Sequence, residues 1–332
     1  MLRILHDTKI DFIKSWRLAV VLTAGFIAAG LIALVIHGGL NRSIEFTGGT
    51  LMQLEFAQPP NVADIRSTVD AAGFTGSEIQ QFGGAREFTV RAASHATAST
   101  SQVEKTATQI KAALERKFGA GNVRVVREEI IGPRVGDELS RNAMIAILIS
   151  LGITLIYLAI RFEWRFGVAA VIATGHDLLS TLAFLAIMRL EVSLTVIAAL
   201  LTVIGYSLND TIIIFDRVRE NMKKARPEPL YDVLNRSINE TLPRSVLTHV
   251  TVAAATLSLL LFAGEVIRPF SWIMLFGIVT GTFSSIYIAA PVLLWVEQRW
   301  PRSRGGKEGP SARSASAPPP RPSKPRAPVG AR

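Results

Sequence analysis

The chain has 332 residues, a formal net charge of +10 and a mean hydropathy of +0.34, with 49% hydrophobic residues. This composition is typical of a membrane protein, and the lack of cysteine excludes disulfides, thiol catalysis and thiolate metal sites. Residues 301–332 hold eight basic residues and one acidic residue among Ser, Ala and Pro. Most of the net charge therefore belongs to residues 297–332, which are predicted to form a disordered cytoplasmic tail. Such a tail is better suited to binding anionic lipid than nucleic acid.

The N-terminal region combines basic residues with an apolar run. Residues 1–17 contain Arg3, Lys9, Lys14 and Arg17. Residues 18–37 contain no Asp, Glu, Lys or Arg and end with a histidine. At about 1.5 Å per residue, a helix of this length just spans a ~30 Å hydrocarbon core. A cleaved signal peptide is the alternative, but no small-residue cleavage site follows the run. The sequence therefore predicts a cytoplasmic N-terminus and a first transmembrane helix.

Residues 38–142 are polar and long enough for one soluble domain. Their pattern predicts six elements, in the order strand Ser43–Phe56 with a break at Gly48-Gly49, helix Asn61–Ala72, strands Glu78–Phe82 and Glu87–Ala92, helix Gln102–Phe118 and strand Val123–Ile131. This β-α-β-β-α-β order is that of the α+β ferredoxin-like fold. The fold supports many functions, so it identifies none.

Five more apolar runs predict a bundle of six transmembrane helices in all. They lie near 143–160, 167–188, 192–215, 246–263 and 270–296. Basic residues concentrate in the 216–245 loop between the fourth and fifth runs, whereas the short loops on the opposite side hold only Arg189 and Arg268. The positive-inside rule then places both termini and this loop in the cytoplasm. The ferredoxin-like domain is then expected on the outer side, which is the periplasm in a Gram-negative host.

Asp210 is the main candidate for a functional residue in the membrane spans. It follows Asn209 inside the apolar stretch 195–217, where a carboxylate costs about 2.5–3.5 kcal/mol on insertion scales. Helical spacing places Ser207 and Thr211 near its face. These features indicate an ion-coupling role for Asp210 and Asn209, and the alternative is a polar contact that only fixes helix packing.

Arg244 begins the fifth predicted span, which runs antiparallel to the span of Asp210. The two residues are therefore expected at similar depth, where a proton could replace their salt bridge as the helices shift. The alternative is an ordinary flanking arginine that extends to the membrane surface.

Weaker candidates lie in the other spans. Asp177, preceded by His176, is either a proton relay or a packing contact, and His249 is more often a satisfied buried imidazole than a ligand. Small residues at four-residue spacing predict close helix packing in the sixth span, at Gly277, Gly281 and Ser285. No Walker loop, metal-ligand cluster or catalytic triad is evident, so the sequence favours no enzyme, no cofactor and no metal.

Several motifs resemble those of the SecF family, the smaller subunit of SecD/SecF in the resistance-nodulation-division superfamily. They are Glu45–Gly49, Gly132–Leu139, Phe162–Gly167, His176-Asp177, Leu194–Asn221 and Leu234–Leu242 with Arg244. The resemblance implies that the chain works with SecD beside the SecYEG channel, with YajC as a further partner. It implies use of the proton-motive force to pull or release an unfolded polypeptide, with Asp210 and Arg244 as coupling residues. A half-size efflux subunit and a non-transporting scaffold are the alternatives.

Four positions depart from the family pattern. Glu45 replaces an Asp and keeps its charge, while Pro243 is expected to set where the fifth span starts. His249 replaces a small or hydroxylated residue, and Pro269 replaces an acid. The last two bear on the choice between proton and sodium, which the sequence leaves open.

Overall fold

The structure is a computed structural model that describes residues 8–93, 100–224, 228–264 and 266–301. Its helices are α1 (Trp16–Ile36), α2 (Ile44–Thr47), α3 (Val62–Ala71), α4 (Thr100–Phe118), α5 (Pro133–Arg161), α6 (Trp164–Met188), α7 (Leu194–Lys224), α8 (Leu230–Phe262), α9 (Arg268–Ser284) and α10 (Ala290–Arg299). Its strands are β1 (Gly49–Phe56), β2 (Glu78–Gln81), β3 (Glu87–Ala93) and β4 (Val123–Ile131). The predicted tail beyond Pro301 lies outside the described residues.

Six helices are long and apolar enough to cross a membrane, which confirms the predicted number. A short 3₁₀ turn precedes α1, and a π-helical turn at Ser285–Ala289 joins α9 to α10 into the last candidate span. The apolar windows of α6, α7 and this last span are 44–61% buried, whereas those of α1, α5 and α8 are 6–17% buried. The bundle thus has three central helices, and they carry Asp177 and Asp210.

The predicted 216–245 connection is mostly helical in the structure. Helix α7 continues to Lys224, and α8 starts at Leu230 directly after Pro229. Pro243 does not set where this helix starts but lies inside it. Hydropathy marks the part of a helix that contacts hydrocarbon, and a helix can extend beyond that part where its polar residues find other partners. In α8, Asn235 and Asn239 bind the backbone of the N-terminal segment at Ile13 and Ile10.

The soluble domain is a four-stranded antiparallel sheet in the order β2-β3-β1-β4. Helix α3 connects β1 to β2, and α4 connects β3 to β4, which is the predicted ferredoxin-like arrangement. One face of the sheet is apolar because alternate residues of the strands point to it. That face forms the domain core with both helices, and its members include Met52, Leu54, Phe88, Val90, Ile65, Ile110 and Leu114.

The predicted first strand, Ser43–Phe56, is wrong in its first half. Residues Ile44–Thr47 form the single helical turn α2, and the strand begins only at Gly49. Gly48 and Gly49 have φ values of 69° and 139°, a region that favours glycine, and they turn the chain from α2 into the sheet. The irregularity in the sheet lies instead opposite Gln53 and Leu54, where the register with β4 shifts.

The soluble domain is attached to the bundle through the connection between α6 and α7. The backbones of Asn41, Ser43 and Val192 exchange hydrogen bonds of 2.7 and 2.9 Å. The Glu45 carboxylate accepts a 2.5 Å hydrogen bond from the Leu194 amide at the start of α7, where a negative charge is favourable. The end of the bundle that holds this connection is called the domain end below.

Candidate functional site

Asp210 lies in the interior of the bundle where α7 meets α8. Only 3% of the residue is exposed. Its Oδ1 accepts a 2.5 Å hydrogen bond from the Ser245 hydroxyl, and His249 Nε2 lies 3.9 Å from the same oxygen. Its Oδ2 is buried without a hydrogen-bond partner among the described residues. A carboxylate with an open oxygen in this setting can hold a proton or accept a new partner after a helix movement.

His249 completes this site from α8. Its Nδ1 lies 2.8 Å from the Thr282 hydroxyl of α9, and its ring centroid is 5.3 Å from that of Tyr206 on α7. Three helices therefore converge on the imidazole. We name Asp210, Ser245, His249 and Thr282 the Asp210 cluster.

The expected salt bridge between Asp210 and Arg244 is absent, since no ion pair in the described part of the chain joins them. Arg244 is exposed, while its neighbour Ser245 is buried against Asp210. Successive residues of a helix point about 100° apart, so both cannot face α7. The prediction of similar depth holds, but the guanidinium lies on the outer face of α8.

The neighbours of Asp210 in α7 do not bind it either. Asn209 is exposed on the outer face of the helix. The Ser207 hydroxyl donates to Asp177, and Thr211 Oγ1 lies 2.9 Å from the Ser285 hydroxyl. The polar residues near Asp210 in α7 therefore bind other helices, and the contacts of Asp210 itself are also made between helices.

Asp177 forms a second buried centre, on α6. It is fully buried, and its Oδ2 accepts hydrogen bonds from Ser207 of α7 and Ser284 of α9, the latter at 2.7 Å. Its Oδ1 lies 3.1 Å from His176 Nδ1. This arrangement joins the three central helices through one carboxylate. Within the described ranges, no three His, Asp or Glu side chains are grouped as a metal site requires.

Gly277 and Gly281 lie where α9 contacts α7 closely. A Cβ atom added at Gly277 would lie 2.2 Å from Val203 Cγ2, and one at Gly281 would lie 3.0 Å from Ser207 Cβ. Ser285 is also buried and bonds to the Gly281 carbonyl. Small residues here let α9 approach α7 closely enough for Ser284 and Ser285 to reach their partners.

Sequence reasoning missed Ser245 and Thr282, and a signal for the first was present. Helix α8 carries buried polar residues along one stripe at roughly four-residue spacing, namely Ser237, Thr241, Ser245, His249 and Thr256. Residues four apart share a helix face, so this stripe marks the face that turns away from lipid. Arg244 does not belong to it.

Comparisons with known proteins identify the family. The model described as protein export membrane protein SecD/SecF, C-terminal, matches residues 109–299, and that of the SecD/SecF GG motif matches residues 33–60. The chain belongs to the SecD/SecF family. Within it, the protein translocase subunits SecF of Gemmatimonas aurantiaca and Vibrio alginolyticus are 61% and 42% identical, covering 91% and 89% of this chain and 91% and 92% of their own.

Solved structures agree with this assignment to SecD/SecF. A crystal structure of SecDF, a translocon-associated membrane protein from Thermus thermophilus, matches with a TM-score of 0.78 and 35% identity. A crystal structure of SecDF in a super-membrane-facing form matches with a TM-score of 0.63 and 36% identity. They cover 90% and 89% of this chain, which spans 40% of each SecDF chain. The residues matched by the GG-motif model include Gly48 and Gly49, which join α2 to the sheet.

Proposed function

We propose that this SecF-family translocase subunit couples ion movement through Asp210 to protein export, as a transport factor without bond-making chemistry. The observation that carries the proposal is the buried Asp210 carboxylate, which has one donor, Ser245, and one open oxygen. A carboxylate in a membrane helix is expensive to maintain, so its presence in a half-satisfied environment points to a functional role. Ionisation of such a group requires a new partner, because a buried charge is costly unless it is paired.

Loss of the proton would change the packing around Asp210. A carboxylate attracts donors, and the nearest movable groups are Ser245 and His249 on α8. Helix α8 is a peripheral helix of the bundle, with 17% of its apolar window buried, so it can shift at less cost than a central helix. The protonated and the ionised forms of Asp210 would thereby favour different positions of α8. A helix with two such positions allows an ion gradient to do mechanical work.

A SecD partner is proposed to cover the outer face of α7 and α8. At the depth of the Asp210 cluster this face exposes polar or small residues of both helices, namely Thr202, Gly205, Asn209, Arg244 and Thr248. An arginine facing lipid costs about 2.5–3.5 kcal/mol, which a partner subunit with an acid or carbonyl groups would offset. The match spans 40% of the SecDF chain, so most of that chain is available for a partner such as SecD. We also propose that the complex of this chain with SecD contacts SecYEG and YajC.

The proposed orientation places both termini in the cytoplasm of a bacterial inner membrane and residues 38–142 in the periplasm. It is supported by the basic residues at the end of the bundle opposite the domain end, among them Arg161, Arg165, Arg217 and Arg219. The short connections at the domain end hold Arg189 and Arg268. Basic residues are retained on the cytoplasmic side of membrane proteins.

The test is protein export in cells that carry Asp210→Asn together with the SecD partner. Asparagine keeps the size and polarity of the side chain but cannot exchange a proton. We expect export to be lost while the complex still assembles, as shown by co-purification. The matched control is Asp232→Asn, the same change at an exposed acid in the first turn of α8. Normal export with Asp210→Asn would contradict the coupling role and favour a scaffold.

A further inference from the structure

His249 faces Asp210 in a way that suggests more than packing. The residue is 9% exposed and lies between α7 and α9. The titratable groups that face it are Asp210 and Tyr206, both on α7, while α9 presents the hydroxyl of Thr282. The charged Arg244 of its own helix lies on the exposed side. The imidazole therefore has one acidic neighbour and no described cationic one.

Thr282 contacts the nitrogen of His249 that is not the one facing Asp210. The Thr282 hydroxyl has one hydrogen and lies 2.8 Å from both the Ile278 carbonyl and His249 Nδ1. When this hydrogen goes to the Ile278 carbonyl, the contact with the imidazole needs a hydrogen on Nδ1. In that neutral tautomer Nε2, the nitrogen that faces Asp210, is a bare acceptor.

We infer that Asp210 and His249 form one proton site, in which the imidazole Nε2 takes up and returns the proton of the Asp210 carboxyl group. The inference rests on the proposed function and assigns its ion. In the transfer the O–H bond of Asp210 breaks and an N–H bond forms at Nε2, leaving a carboxylate and an imidazolium. The net charge of the pair is unchanged, so the step creates no uncompensated charge in the bundle.

The distance between the two groups makes the transfer conditional on movement. Nε2 lies 3.9 Å from Oδ1, beyond the 2.7–3.2 Å of a nitrogen–oxygen hydrogen bond. A shift of α8 toward α7 by about 1 Å would close the contact. Proton transfer is therefore tied to the position of α8, and the imidazolium becomes the partner that the ionised Asp210 lacks.

The same geometry disfavours sodium. Hard cations take several oxygen ligands, often from the carbonyls of unwound helix segments. Near Asp210, α7 is continuous from Leu194 to Lys224, so its carbonyls are bound within the helix. The contacts of the Asp210 carboxyl group are one hydroxyl, that of Ser245, at hydrogen-bond distance and the nitrogen of His249 at 3.9 Å.

The test is ¹⁵N NMR of the imidazoles in the full chain in nanodiscs, with His249 assigned by its loss in His249→Gln. We expect the neutral ring to carry hydrogen on Nδ1, and Thr282→Val to abolish this preference. In Asp210→Asn we expect the midpoint of the His249 titration to move by about one pH unit or more, since strongly interacting groups titrate as a pair. The exposed His37 is the control, because it lies outside the Asp210 cluster and its signals must be the same in both proteins.

Three results would overturn the inference. They are a neutral ring with hydrogen on Nε2, a His249 titration that Asp210→Asn leaves unchanged, and a displacement of the titration when sodium replaces choline in the buffer. If Asp210→Asn does not fold, Thr282→Val still tests the tautomer. The export assay with Asp210→Asn is independent of these readouts, so failure of the proposed function and failure of the proton pair are distinguishable.

Discussion

Ser245 donates a 2.5 Å hydrogen bond to the Asp210 carboxyl group from the helix position next to Arg244. A neutral hydroxyl, and not the guanidinium, is thus the direct partner of the buried acid. The arrangement leaves Arg244 free to face a second subunit while Asp210 faces the interior. Asp210 of α7 therefore contacts the face of α8 that carries Ser245, whereas Arg244 lies on another face of α8.

Ser245→Ala should impair export, because the mutation removes the one donor that the structure gives Asp210. A hydrogen bond to a charged group contributes about 1.5–3 kcal/mol, so we expect a loss of about tenfold or more in export rate. Ser258→Ala is the control, since this exposed hydroxyl of α8 bonds the Ala254 carbonyl of its own helix. Equal export by both variants would contradict a role for the Ser245 hydroxyl.

Gly277→Ala should destabilise the bundle by about 1–3 kcal/mol, because the new methyl group would overlap the side chain of Val203. The thermal unfolding of the full chain in detergent measures this effect. Val203→Ala in the same chain should restore most of the stability, since it removes both methyl groups in the way. Gly205→Ala is the control, as no atom lies within 4 Å of its added Cβ. Unfolding at the same temperature in all variants would show that α7 and α9 are not in close contact.

Arg91→Met should weaken the attachment of the soluble domain in a pH-dependent way. Arg91 forms ion pairs with Glu191 and with Glu78, the latter at 2.9 Å. Burial raises the pKa of Glu191 above its usual range, and the Arg91 guanidinium opposes this shift without cancelling it. Without Arg91 the ionised, half-buried Glu191 loses its cationic partner. We expect this to lower the free energy of unfolding by about 1–3 kcal/mol at neutral pH.

The sign of this pH effect follows from the raised pKa of Glu191. A folded pKa above the unfolded value gives a stability contribution that is complete below the unfolded pKa and is lost as the pH rises through the folded pKa. The deficit of Arg91→Met should therefore shrink as the pH falls from neutral toward the ordinary pKa of a glutamate, because Glu191 becomes neutral. Glu191→Gln should cost less and show little pH dependence, because Arg91 keeps Glu78. Thermal unfolding across this range is the measurement, and parallel curves would refute the assignment.

Asn239→Ala should release the N-terminal segment from α8. The Asn239 amide donates to the Ile10 carbonyl at 2.8 Å and accepts from the Ile10 amide at 3.0 Å. Loss of two exposed hydrogen bonds is worth about 1 kcal/mol, so exchange of the Ile10 amide should accelerate about fivefold. Asn239→Asp keeps the acceptor and should have a smaller effect. Unchanged exchange in Asn239→Ala would show that other contacts hold the segment.

Hydropathy and alternation were sufficient for the overall architecture. Six apolar runs predicted the six candidate spans, and the β-α-β-β-α-β order predicted the sheet. These signals depend on the local environment of each residue, which the sequence reports directly. Helix ends were less predictable: α7 and α8 continue through most of the predicted 216–245 loop, because their polar residues find partners outside the apolar region.

The apolar run around Asp210 was enough to predict that a carboxylate would lie inside a membrane bundle and would need a partner. It did not predict the partner, because hydropathy does not report the rotation of one helix about its axis relative to another. That rotation is set by packing between helices, for example where Gly277 of α9 contacts Val203 of α7 and where Asp210 of α7 contacts α8. A rotation of one residue exchanges Ser245 for Arg244, since neighbouring positions differ by about 100°. The packing of the folded bundle therefore selects Ser245 and His249 as the residues that face Asp210.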